Sequence, residues 1–126
     1  MTSFIEKVAE AMIAAGMKVN LVHSAPQKRF DVITLTPYFG APVKADQAII
    51  GDIQRVNVNV LGKEYKTGYN VIWEAYNFLN NSMKTGIVYE GYSITDFVQS
   101  PVFIGNEDKG GSVFVFNFIA TNLLKE

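Results

Sequence analysis

Residues 55–60 constrain this chain more than any other stretch. Val56, Val58 and Val60 alternate with Arg55, Asn57 and Asn59 without a slip. A period of two belongs to an extended strand, whose successive side chains point to opposite faces, so this strand has one apolar and one polar side. Residues 112–120 repeat the pattern, with Phe114, Phe116 and Phe118 on one face. The polar, glycine-rich segment 105–111 before them reads as the tip of a β-hairpin.

Two helices are expected to cover the apolar side of such a sheet. The first begins near Phe4, where Ser3 and Glu6 have the spacing of a capping box. Phe4, Val8 and Met12 form one row and Ile5, Ala9 and Ile13 the next, and Gly16 provides the stop. The second is expected over residues 64–80, with Tyr65, Tyr69, Ile72, Trp73, Tyr76 and Leu79 on one side and Asn80, Asn81 and Ser82 ending it. Further strands are expected at 18–23 and 31–36, then at 87–92 and 93–99, either separate or run together, with Gly91 as a bulge or bend, and residues 101–104 lead into the hairpin tip. Residues 38–52 lack periodicity and contain Gly40, Pro42 and Gly51, which reads as a long excursion.

The expected fold class is therefore α+β in the order α-β-β-β-α-β-β, a mainly antiparallel sheet of four to six strands with both helices on one face. With 126 residues, one domain spanning 1–126 is expected. Apolar and aromatic residues make up 48% of the chain, enough to offset chain entropy by burial. A net charge of -1 supplies no excess of cations for a phosphate backbone, so specific nucleic-acid binding is not expected. No signal peptide is read at the start and no apolar run approaches the ~20 residues that span a bilayer, so a cytosolic origin is expected.

Reactive chemistry finds little support in the residues. The chain has no cysteine, which excludes disulfides, thiolate metal sites and a cysteine nucleophile. His23 is the one histidine, and Ser24 or Ser3 would have to serve it as nucleophile. At the end of a strand it reads better as exposed or locally bonded. Glu107 and Asp108 lack the alternating oxygen ligands of a calcium loop, and the glycines of 105–111 lead into a strand rather than the helix that a phosphate cradle needs. No metal and no cofactor is expected. The stripe Tyr65, Tyr69, Trp73 and Tyr76 reads as packing against the sheet rather than as a platform for bases or sugars. Two features remain open. The amides Asn57 and Asn59 beside Arg55 are either solvated or lie against another subunit, and Ala48, Ile49 and Ile50 are either tucked under their loop or offered to a neighbour.

Several pieces in order carry a family resemblance: an N-terminal helix, then Leu35-Thr36-Pro37-Tyr38-Phe39-Gly40-Ala41-Pro42, the strand Val56-Asn57-Val58-Asn59-Val60, and a helix from Tyr65 to Leu79. Then come Gln99-Ser100-Pro101-Val102-Phe103-Ile104-Gly105, an acidic glycine-containing turn, and Phe114-Val115-Phe116-Asn117-Phe118. In this the chain resembles the tail terminator proteins of long-tailed bacteriophages, often labelled minor capsid proteins. The resemblance implies a virion structural protein, made in the host cytoplasm. It would form a hexameric ring on the tail tube, stop tube polymerisation and offer a docking surface to a head-completion or connector protein. DNA would pass through such a ring without specific binding. Subunit or tube contacts are then expected at Ala48, Ile49, Ile50, Ile53, Arg55, Asn57 and Asn59, and at the tip residues Asn106, Glu107, Asp108 and Lys109. Asp46 and Asp52, with Glu107 and Asp108, are the candidates for acidic side chains lining the lumen. Alternatives are another neck or tube ring component, a small-molecule binding or catalytic α+β module, and a dimeric host regulatory module.

Overall fold

A computed structural model describes residues 3–21, 30–37, 53–107 and 110–122. Its elements run α1 (Phe4–Ala14), β1 (Val19–Leu21), β2 (Ile33–Pro37), β3 (Ile53–Gly62), α2 (Tyr65–Thr85), β4 (Val88–Tyr89), β5 (Tyr92–Asn106) and β6 (Ser112–Thr121). The fold is α+β, with one six-stranded sheet in the order β1-β2-β3-β6-β5-β4. No helix among the described residues is long and apolar enough to cross a membrane.

The alternation in the sequence becomes the two faces of this sheet. Val56, Val58 and Val60 of β3 pair with Phe118, Phe116 and Phe114 of β6, and all six are buried. Ile33 and Leu35 of β2 extend the same layer. Both helices cover it, α1 through Phe4, Val8, Ala9 and Met12 and α2 through Ile72, Ala75 and Leu79, in one hydrophobic cluster. Ser3 caps α1 by accepting the Glu6 backbone N–H at 3.2 Å. Its hydroxyl donates to the Glu6 carboxylate, so the reciprocal half of the expected capping box is replaced by a side-chain bond.

Three expectations need correction. Helix α2 does not stop at Asn80-Asn81-Ser82 but continues to Thr85, where Gly86 takes the left-handed conformation at φ 70°. Those polar residues stay helical because Ser82 is buried, bonding the Phe78 carbonyl and, at 2.8 Å, the Tyr89 hydroxyl. The expected strand 87–92 is broken: Glu90 at φ 50° and Gly91 at φ 85° make the two-residue turn that joins β4 to β5, which places the bend expected at Gly91 between two strands. Residues 93–106 form one strand, not the separate pieces expected on either side of Ser100-Pro101.

Four of the five strand pairings are antiparallel, as expected, but β1 and β2 run parallel.

The aromatic stripe of α2 packs against sheet residues along its length, as expected, with its first two rings also open to solvent: Tyr65 and Tyr69 both lie edge-on to Phe114, at 5.2 and 6.3 Å. Tyr76 lies edge-on to Phe116, with ring centroids 5.4 Å apart, and also meets Phe97. Tyr65 and Tyr69 are exposed, stacked on each other at the rim. The wall of α2 facing the sheet there is Gly68, which lies against Gly62 and the Phe114 ring.

Candidate interaction surface

The second face of the sheet carries no described helix. On it β3 places Ile53, Arg55, Asn57 and Asn59 side by side, four of the residues singled out from the sequence, all half-buried. Asn117 of β6 and Gln99 of β5 join them, because Asn57 pairs with Asn117 and Asn117 with Gln99 across the ladder. The side chains form a relay. Asn59 donates to Asn57 at 2.9 Å, Asn57 to Asn117 at 2.8 Å, and Asn117 to Gln99 at 3.5 Å. Asn117 was legible by the same alternation, since it lies between Phe116 and Phe118; Gln99 was hidden by irregularities in β5.

An amide has both donors and acceptors, so the relay fixes these side chains while leaving hydrogen-bonding capacity at its ends. The next row down places Arg55 and Asp96 on opposite sides of Ile119. Arg55 makes no hydrogen bond or ion pair with the described residues. Replacing Asn117 by Ala removes the middle of the relay, and a loss of about 1–2 kcal/mol in urea denaturation is expected, with the fold intact by circular dichroism.

The outer edge of the sheet on the β5 side is the second feature. Only Tyr92 and Ser93 of β5 pair with β4, so the remainder of the strand has no described partner outside. Fourteen residues, 93–106, lie opposite ten of β6, residues 112–121. The register shifts between Ile94 and Asp96, Phe97 and Gln99, Gln99 and Val102, and Phe103 and Gly105. Each surplus residue is a bulge that bends the edge and spoils it as a template for regular strand addition, and Pro101 lacks a donor altogether. Val98 and Ile104 fall within these shifts and are 55% and 62% exposed. Val102 and Phe103 are exposed beside them, and Tyr65 touches Phe103 at a ring distance of 5.1 Å.

At the opposite side of the sheet, an open cleft of about 270 Å³ lies between the end of α1, strands β1 and β2, and α2. Met17, Ile33 and Val71 give it an apolar floor, and Lys18, Asp31 and Glu74 a charged rim. Asp31 is held in a left-handed conformation, φ 60°, by the bonds from its N–H to the Leu61 carbonyl and from the Lys63 N–H to its carboxylate. The cleft is smaller than the ~300–1,000 Å³ typical of pockets for drug-sized molecules.

The tip of the β5–β6 hairpin stands apart from both features. Asn106 accepts from the Ser112 hydroxyl, and Glu107 bonds Gly110 and Gly111 through its backbone, so these two site candidates close the turn. Ala48, Ile49, Ile50, Asp46, Asp52, Asp108 and Lys109 lie outside the described residues, as does His23. No group of three or more metal-ligating side chains occurs among the described residues. No protein-family model matches the chain, and no curated protein matches its sequence significantly.

Proposed function

We propose that this protein is a structural subunit of a bacteriophage tail, a tail terminator that performs no bond chemistry. It assembles as a ring on the end of the tail tube, hexameric as the family resemblance implies. There it halts tube polymerisation and offers a surface to a head-completion or connector protein, while DNA passes without specific binding. It is at work in the virion and is assembled in the host cytoplasm.

The observation that carries this reading is the set of exposed apolar side chains along one sheet edge: Val98 and Ile104 in two of the bulges, Val102 on the amide face, and Phe103 on the helix-covered face beside the exposed Tyr65 and Tyr69. Apolar side chains along the outer edge of a strand, where no described partner covers them, are a liability in a lone chain and an asset in one that meets neighbours. The polar second face, held by its amide relay, gives a further docking surface without exposing the core.

Electron microscopy of tails assembled with and without this protein tests the proposal. Tubes of one defined length with it, and overlong tubes without it, are the expected result. Tubes that stop at the same length in its absence would reject termination, and protein incorporated along the tube would make it a tube component instead.

A further inference from the structure

Arg55 and Asp96 are the only charged residues in the six described strands. Both belong to the face that no described helix covers, in one row with Ile119 between them: Arg55 pairs with Ile119 from β3, and Asp96 pairs with it from β5. Residues directly opposite in a ladder point to the same side, and two strand spacings put the charges ~10 Å apart. Neither side chain makes a salt bridge or hydrogen bond with the described residues. The neighbouring row is uncharged, being the amides Asn57, Asn117 and Gln99, and on β6 the half-buried Val115 and Ile119 stand on either side of Asn117.

We infer that two copies of this chain pair through this face, about a two-fold axis that runs along β6. Under that operation each β6 residue meets its own counterpart, and β3 of one copy lies over β5 of the other. Arg55 then faces Asp96 of the second copy and Asp96 faces its Arg55, so one surface supplies both halves of two ion pairs. Asn117 meets Asn117 and Asn57 meets Gln99, which amides satisfy because each carries donors and acceptors. A two-fold axis across the strands would instead stack β3 on β3 and never bring Arg55 over Asp96. Charge selects a second copy as the occupant, since a foreign surface would need its own cation and anion at the same spacing with uncharged groups between. Area agrees. Strands β2, β3, β6 and β5 at ~4.8 Å and the length of β6 at ~3.4 Å per residue give a patch of ~600 Å² per copy, so the pair buries ~1,200 Å², the lower end of stable specific interfaces. Two sheets stacked ~10 Å apart with aligned strands leave a gap that an arginine side chain can cross. A two-fold contact closes with two copies, so this pairing is independent of the tail role proposed above.

Sedimentation equilibrium of the unsubstituted chain and of the variants Arg55→Glu and Asp96→Arg, each checked for its fold by circular dichroism, tests the pairing. The unsubstituted chain is expected to dimerise. Either reversal alone sets two like-charge contacts across the axis and should weaken the dimer about tenfold or more. An equal mixture of the two variants should recover it, because the altered positions then meet each other and the untouched Asp96 and Arg55 meet each other. A folding defect in either variant cannot produce that recovery. An unsubstituted chain that stays monomeric at its highest soluble concentration, reversals without effect, or a mixture that associates no more tightly than its components would overturn the inference. The result is separable from that of tail assembly: tubes capped by a monomeric chain remove this pairing alone, and a dimer with uncapped tubes removes termination alone.

Discussion

Gly62→Ala is expected to unfold the protein or leave it barely stable, although it adds a single methyl group. A Cβ at Gly62 would stand 2.4 Å from the Gly68 Cα, 2.6 Å from the Gly68 nitrogen and 2.8 Å from the Glu64 carbonyl oxygen. All three are backbone atoms, so no rotamer change can relieve the overlap. Strand β3 ends at Gly62 and α2 begins three residues later, and the first turns of α2 lie directly on the strand end. Moving them apart would also disturb Phe114, whose ring fills the space left by the missing side chain of Gly68. Overpacking typically costs about 1–3 kcal/mol, and a backbone clash belongs above that range, against a total stability of about 5–15 kcal/mol. Gly86→Ala is the informative control, since its Cβ would meet nothing within 4 Å and only its left-handed backbone resists, at roughly 1–2 kcal/mol. Thermal denaturation should place Gly62→Ala far below Gly86→Ala. Comparable melting temperatures would mean that the strand–helix junction is not packed as described.

What the sequence discloses about this fold depends on how regularly each element is built. Strands β3 and β6 are legible because each residue of one has a partner in the other, so the valines and phenylalanines stay in phase from end to end. Strand β5 is not, because four register shifts each move the alternation off the apolar face, and Ser100-Pro101 and Gly105 look like breaks. The end of α2 was misplaced because Asn, Asn and Ser favour turns locally, and only the distant Tyr89 hydroxyl explains why Ser82 is buried in a helix. The same rule divides the candidate site. Ile53, Arg55, Asn57 and Asn59 share a face that the period of two predicts, whereas the exposed edge at Val98 and Ile104 arises from the bulges. The cleft is less legible still, since it is made by the end of α1, two short strands and a turn of α2 that are far apart in the chain.

Phe116→Ala is expected to lower stability by about 3–5 kcal/mol, the range for removing a fully buried aromatic side chain when the surroundings relax only in part. Phe116 has no exposed surface and occupies the middle of β6, opposite Val58. Its ring is also the point where α2 and β5 are tied to the sheet. Tyr76 stands at 88° to it, and Phe97 packs between Tyr76, Phe116 and Phe118. The bulged strand β5 has no described partner outside it beyond Ser93, so these aromatic contacts and the ladder to β6 are what hold the edge in place. The loss should therefore be uneven. Urea denaturation should give the stated drop, and amide hydrogen exchange in the surviving native state should rise more in β5 than in β2 or the far half of β3. An exchange increase spread evenly over the sheet would contradict that assignment.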